Sequence, residues 1–297
     1  MSFKAEELKE RQGFIGASES APALGMSDWF TRVQLWESKV HGSEPIETTL
    51  PMMVGTALEP TTLALFERET GLKVINQQLK VSDPSWPIRR ATLDGMTEDG
   101  ALIEAKTSGD WRGWGDDEDS IPIPYMYQVM HQLACVPDAK ECWVPVIIGG
   151  RTFKIYHVNR DDEFIDLMAQ GERGFWFHVE TKTAPQPASA DDLKILYPKD
   201  RGVTVIASMD IEQAVHQLSA VKKQIKELEA AKDALDFPVR EFFRDAATLV
   251  GSQGEVLATF KGNDVNRVDT KKFRADHPAL ADHYTKTSHE RKLLIKV

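Results

Sequence analysis

Three side chains able to do hydrolytic chemistry together, Asp94, Glu104 and Lys106, fall in the run from Thr92 to Thr107. The run reads as a strand carrying Asp94, a reversal at Glu98-Asp99-Gly100, and a returning strand from Ala101 to Thr107. Side chains alternate along a strand, so Leu102, Glu104 and Lys106 share one face and Ala101, Ile103 and Ala105 take the other. The reversal brings Asp94 back toward Glu104, and one carboxylate from each strand then faces a common point beside an ammonium group. Hard divalent cations take carboxylate and carbonyl oxygens, and a nearby lysine can polarise or deprotonate attacking water. A Glu-x-Lys pair alone is usually a solvated ion pair of little energetic consequence. The elements before and after the hairpin decide how the pair is read.

Ahead of it, the charged stretch Met1 to Gln12 is helix-prone, and Gly13 to Ser20 is a glycine-bounded loop in which Ser18 or Ser20 can cap a short apolar segment. Leu50 to Glu69 is predicted helical, with Gly71 as its stop and either a kink or the start of a second helical turn at Pro60 beside Glu59. Leu72 to Val81 and Ile88 to Asp94 read as strands parted by the turn Asp83-Pro84-Ser85. Ser108 to Ile121 reads as an exposed loop carrying Trp111, Arg112 and Trp114, side chains that could stack on separated bases or pack under the loop. A helix from Ile123 to Val136 sets Tyr125, Gln128 and Gln132 on one face, with His131 near them. A hairpin across Gly149-Gly150 and a helix from Asp161 to Glu180 complete a mixed α/β sheet flanked by helices.

Thr181 to Ala190 reads as a surface crossing, and the composition then shifts. The expected organisation is a core over 1–205 and an extension over 206–297 with a small α/β tail. In the extension, Ile211, Val215, Leu218, Ile225, Leu228 and Leu235 lie at helical spacing, which predicts a long amphipathic helix ending at Pro238 and packing back on its own chain.

Composition narrows the classes. The 297 residues are 41% hydrophobic, enough for a large core, and no apolar run is long enough for a membrane-spanning helix. Without a signal-peptide pattern, cytoplasmic residence is the expectation. Cys135 and Cys142 are too few for an iron-sulfur cluster or a four-cysteine zinc site and are expected as buried thiols. A net charge of -10 argues against indiscriminate nucleic-acid binding but allows a local basic groove.

The pieces Phe14-Ile15-Gly16-Ala17-Ser18-Glu19, Gly55-Thr56-Ala57-Leu58-Glu59-Pro60, Leu93-Asp94-Gly95, Glu104-Ala105-Lys106-Thr107 and Tyr125-x-x-Gln128 occur in the order seen in one family. From about Arg11 to Ile148 the chain resembles the YqaJ-type viral recombinases, the lambda-exonuclease group of the PD-(D/E)XK nuclease superfamily. The resemblance implies a restriction-endonuclease-like core with metal carboxylates Asp94, Glu104 and Glu59 and the Ala105 carbonyl as a further ligand. Lys106 would position the water, Gln128 would support the lysine and the scissile phosphate, and Arg11 with Ser18 would hold a 5'-phosphate.

The activity so implied is Mg²⁺- or Mn²⁺-dependent 5'-to-3' exonuclease digestion of one strand of linear duplex DNA, with two ions per site. Its 3' overhangs would serve a single-strand annealing protein in phage-type recombination within a bacterial host, and the implied assembly is a trimeric ring. A RecB-like or restriction-like endonuclease, and a noncatalytic DNA-end-binding protein on the same fold, are the competing readings.

Overall fold

The computed structural model describes residues 5–43, 48–287 and 289–297 and divides into two units, Met1–Tyr197 and Pro198–Val297. In the first, helix α1 (Ala5–Arg11) leads through strand β1 (Ile15–Gly16) and a 3-10 turn (Ala17–Glu19) to helices α2 (Ser20–Leu24), α3 (Arg32–His41) and α4 (Leu50–Thr70). The first four residues of the expected N-terminal helix lie outside the described residues. At the start of α3 the Thr31 hydroxyl accepts from the Gln34 amide and the Gln34 side chain accepts from the Thr31 amide, a reciprocal cap. Helix α4 runs through Pro60 and ends at Gly71, whose φ of 75° suits only a residue without a Cβ clash.

Leu72 to Val81, expected as one strand, is two. Strands β2 (Val74–Ile75) and β3 (Leu79–Ser82) are parted by left-handed residues Asn76 and Gln78, at φ 53° and 58°. Each joins a different sheet. The smaller sheet has the order β1-β4-β3, with β4 spanning Arg89–Leu93; the larger holds β2, β5 (Gly95–Thr97), β6 (Leu102–Ile103), β7 (Lys106–Ser108), β8 (Glu141–Ile148) and β9 (Thr152–Asn159). Strands β6 and β7 are the halves of one strand, both parallel to β8 at one offset, with Leu102 opposite Cys142 and Lys106 opposite Val146. The break falls at Glu104-Ala105.

Asp94 therefore lies between β4 and β5, where the chain leaves one sheet for the other, and Glu104 lies in the break of the strand beyond it. At the switch, Gly95 lets β5 lie close to β2, since a Cβ there would come within 2.5 Å of the Val74 side chain. Strands β8 and β9 are joined through Gly149, Gly150 and Arg151, with positive φ at both glycines, a conformation that favours residues without a Cβ.

Helices α5 (Ile123–Cys135), α6 (Asp162–Glu180) and α7 (Ala190–Leu196) complete the unit. The core lies between α5 and the sheets, where Leu93, Leu102, Val129, Leu133, Val144, Val146 and Tyr156 are fully enclosed. Cys135 and Cys142 are buried thiols in it. Among the described residues no helix is long and apolar enough to cross a membrane.

A chain of buried charges ties these layers together. Glu172 of α6 accepts hydrogen bonds from Ser20 Oγ, His131 Nδ1 and Arg89 Nε, at 2.7, 2.8 and 2.8 Å, and Arg89 also pairs with Asp83 at 2.8 Å. His131 Nε2 meets the Arg90 carbonyl at 3.0 Å. Both partners of the imidazole are acceptors, so both ring nitrogens carry protons and the side chain is a cation. Two cations and two anions then balance in an interior where an unmatched charge would cost several kcal/mol.

In the second unit, helix α8 (Met209–Phe243) is followed by the antiparallel pair β10 (Thr248–Val250) and β11 (Val256–Thr259) and by helices α9 (Thr270–Asp276) and α10 (Pro278–Tyr284). One expectation for α8 is corrected, since the helix continues past Pro238 to Phe243. Within the second unit Phe243 is the buried residue of the helix, resting against Phe260, and that unit leaves Leu228 and Leu235 uncovered. Helical periodicity reports which residues share a face and carries no information on what covers it.

Burial works against charge on His131, but the Glu172 carboxylate outweighs it and pushes the imidazole up to about 10 from 6.5. Burial likewise opposes charge on Glu172, and His131 and Arg89 bring that carboxyl down to about 2 from 4.5. The His131 contribution to stability is thus complete below pH 6.5 and lost as pH climbs toward 10, while that of Glu172 is complete above pH 4.5 and lost as pH falls toward 2. His131→Gln should lower stability at neutral pH by about 3 kcal/mol and flatten the decline on the alkaline side. Denaturant midpoints measured across that range check this, and parallel pH profiles for the two proteins would reject a charged His131.

Candidate active site

At the break between β6 and β7, Glu104 is 3% exposed and fully engaged. Its Oε1 accepts from Lys106 Nζ at 2.5 Å and from Gln128 Nε2 at 2.6 Å, and its Oε2 accepts from Gln132 Nε2. Lys106 also donates to Gln128 Oε1 at 2.9 Å, which closes a ring of carboxylate, ammonium and amide. The strand alternation read from the sequence puts Glu104 and Lys106 on one face, and α5 brings Gln128 and Gln132, one helical turn apart, down onto them. Tyr125, a further turn back, lays its ring 4.5 Å from the Lys106 ammonium.

Asp94 approaches from the sheet switch, its Oδ2 accepting from the Ala105 amide at 2.8 Å. The interrupted ladder releases that amide to bind the carboxylate. Burial and then the neighbouring Glu104 carboxylate hold Asp94 well above the ordinary range, with Lys106 opposing them. Lys106 is pulled down by burial, but the adjacent Glu104 outweighs this and raises it, so the ammonium form is held. Glu59 reaches the group electrostatically: burial and then Glu104 raise it, although its Oε1 is tied at 2.9 Å to Gln78 Nε2 on the outer side. Among the described residues no three His, Cys, Asp or Glu side chains already close around one ion-sized point. Asp94 and Glu104 are brought together, and Glu59 stands at their edge.

Beside this cluster opens a cavity of about 540 Å³ lined by Arg11, Ser18, Lys80 and Arg90, with Gln128 in its wall. Glu19 organises its rim. Its carboxylate takes Arg11 Nη2 at 2.7 Å, Lys39 Nζ at 2.7 Å and the Gly16 amide at 2.8 Å. Burial would raise Glu19, but Lys39 and Arg11 keep it below the ordinary carboxylate range. Arg11 and Arg90 both lie over the Phe14 ring, at 5.9 and 5.0 Å. The two residues read as a phosphate pair, Arg11 and Ser18, thus share one opening, whose wall carries Arg11, Lys80 and Arg90 against Glu7 and Glu10, with Arg90 3.7 Å from Glu10.

Other expectations divide. His131 is completely buried between Glu172 and the Arg90 carbonyl, so the reading of it as a DNA contact is corrected. Trp114 is also buried, packed on Tyr125 and Tyr156 with ring centres 5.6 and 5.1 Å away, and cannot stack on bases. Trp111 is 48% exposed and Arg112 lies out in solvent beside Asp110. Tyr125 is half-buried as the wall over Lys106.

Sequence reasoning set Gln132 on the site face of α5 without giving it a partner, and gave no role of their own to Lys80, Arg90, Phe14 and Glu172. Gln132 spends its amide nitrogen on Glu104 while its Oε1 is buried without a hydrogen-bond partner, so serving the carboxylate has taken precedence. Glu172 did leave a signal: it occupies the apolar stripe Ile165, Met168, Phe175 and Trp176 of α6, where a charge requires a buried partner.

A half-interrupted parallel strand carrying a carboxylate and a lysine, an acidic residue at the preceding sheet switch, and a flanking helix define a mixed α/β core with its charged cluster at a strand break. Residues 8–139 are similar to the YqaJ-like viral recombinase domain. It is 29% identical over 303 residues to uncharacterized protein YqaJ of Bacillus subtilis (strain 168), an alignment covering 98% of this chain and 93% of the relative. The fold is shared with an alkaline exonuclease from Laribacter hongkongensis, at a TM-score of 0.51 and 23% identity over 60% of this chain and 94% of that one. The same exonuclease in complex with dAMP superposes with a TM-score of 0.50, again at 23% identity and with the same coverage.

The two tryptophans of the loop give opposite expectations. Trp114→Ala should destabilise the protein by about 3 kcal/mol, while Trp111→Ala should leave stability within about 0.5 kcal/mol. Urea unfolding of both variants checks this, and equal losses would contradict the different packing of the two rings.

Proposed function

We propose that this chain is a metal-dependent deoxyribonuclease that digests one strand of linear duplex DNA from a 5'-phosphorylated end. The observation that carries the reading is the double role of Gln128, which joins Glu104 to Lys106 and also walls the cavity lined by Arg11 and Ser18. A cationic recess for a terminal phosphate and a hydrolytic group thus lie on two sides of one side chain.

The donor set fits a hard divalent cation, Mg²⁺ or Mn²⁺. Asp94, Glu104 and Glu59 place three carboxylates against the single ammonium of Lys106, and burial followed by the repulsion from Glu104 raises Asp94 and Glu59. A divalent ion would offset that excess negative charge, held by Asp94, Glu104 and the Ala105 carbonyl with Glu59 completing the set. When bound, the ion supplies Lewis-acid stabilisation of phosphoryl oxygens and lowers the pKa of water. Lys106 holds positive charge where the pentavalent centre develops, and the hydrogen bond from its ammonium to Gln128 Oε1 fixes its direction. Gln132 keeps Glu104 oriented from below. Arg11 can fork onto phosphate oxygens, with the Ser18 hydroxyl as a second donor. The product would be a 3' overhang suited to a single-strand annealing protein.

Linear duplex DNA with a 5'-phosphate and a label at either end of one strand, incubated with Mg²⁺ and with chelator, tests this. Early metal-dependent release of the 5'-labelled mononucleotide is expected; internal cuts would favour an endonuclease, and binding without cleavage a noncatalytic end-binding protein. Lys106→Ala and Asp94→Ala should each lower turnover by about a hundredfold or more with the fold retained by circular dichroism. Arg11→Gln should reduce the preference for phosphorylated over unphosphorylated ends by about tenfold, the value of one charge-assisted hydrogen bond. Equal loss on both substrates would remove Arg11 from the phosphate site.

A further inference from the structure

Helix α8 spans 35 residues, about 52 Å at the usual rise, or five heptads. Its apolar residues follow a strict alternation of three and four: Ile211, Ala214, Leu218, Val221, Ile225, Leu228, then Lys232, Leu235, Val239 and Phe242. This is a 3.5-residue period, the seam of a left-handed supercoil, and it is narrower than the stripe of a helix lying on a globular core. Within its own unit the seam is uncovered along its length, from Ile211 at 53% and Ile225 at 49% to Phe242 at 73%. Leucine, isoleucine and phenylalanine in such a row are an interface pattern.

We propose that α8 pairs with α8 of a second copy of this chain as an antiparallel coiled coil centred on Ile225 and Leu228. Two features of the sequence select this occupant and orientation. In a parallel pair Lys232 would face Lys232 of the other copy inside the seam, burying like charges together. In the antiparallel register Lys232 faces Val221 instead, Leu218 faces Leu235, and Ile225 faces Leu228. The flanking positions then also match: Lys222 comes opposite Glu229 of the other copy, twice by symmetry, and within one helix these residues are seven apart and do not pair with each other. A two-fold axis through the centre makes the surface self-complementary and closed. A single polar residue at a seam position is the device that sets register and direction in such helices.

The full-length protein provides the test by mass photometry and cross-linking. Wild type should have at least twice the mass of Ile225→Asp/Leu228→Asp where the variant is a monomer or an odd-numbered ring, because an odd set of α8 helices cannot all pair within itself. Lys222→Glu should shift the population toward the smaller species, and Lys222→Glu/Glu229→Lys should restore it, a rescue that loss of folding cannot imitate. Under oxidation, Leu218→Cys/Leu235→Cys should give a covalent dimer and Leu218→Cys alone should not. Equal masses for wild type and the Asp variant at a monomeric or odd copy number would overturn the proposal, as would no cross-link by Leu218→Cys/Leu235→Cys at any copy number, or a cross-link by Leu218→Cys alone, which marks a parallel pair. Nuclease activity is read on none of these arms, so their outcome is separate from that of the proposed function.

Discussion

The buried carboxylate of Glu104 is the constraint around which the site is arranged. A carboxylate this enclosed survives only with its oxygens engaged, and it draws a lysine two residues along its own strand and two glutamines from α5. Those demands fix the approach of α5 to the sheet, the rotamer of Lys106 and the orientation of Gln128. The cost is visible at Gln132, whose carbonyl oxygen is left buried without a partner.

Two backbone interruptions make the arrangement feasible. A continuous β6–β7 strand would commit the Ala105 amide to a neighbouring ladder, and a continuous β4–β5 strand would hold Asp94 within one sheet. With the ladder broken at one point and the sheet changed at the other, the amide of Ala105 meets the carboxylate of Asp94. Behind this, the Asp83–Arg89–Glu172–His131 chain ties β4, α5 and α6 together, so the strand that ends at Asp94 and the helix that carries Gln128 are held by one charge-balanced network. Breaking any member would leave the others as unmatched buried charges.

Charge is partitioned by locality. The chain carries ten excess negative charges, yet Arg11, Lys39 and Arg90 collect around the Phe14 ring beside a cavity, with Glu19 tying down two of them. An acidic exterior disfavours nonspecific nucleic-acid binding, whereas a short-range cluster of cations acts on an anion only within a Debye length of about 8 Å.

The sequence by itself determined the helices from Ile123 and Asp162, the hairpin at Gly149-Gly150, the shared face of Glu104 and Lys106, and the turn of α5 that aligns Tyr125, Gln128 and Gln132. These follow from local periodicity, turn chemistry and the order of motifs, all of which are written in neighbouring residues. Only the tertiary structure decided what those faces meet. It split Leu72 to Val81 between two sheets because Asn76 and Gln78 adopt left-handed φ, put Asp94 at a sheet switch, enclosed His131 and Trp114, and carried α8 beyond Pro238 with its apolar seam uncovered within its own unit. Burial and pairing depend on residues distant in sequence, such as Glu172 for His131 and Tyr156 for Trp114, and no local pattern specifies those partners.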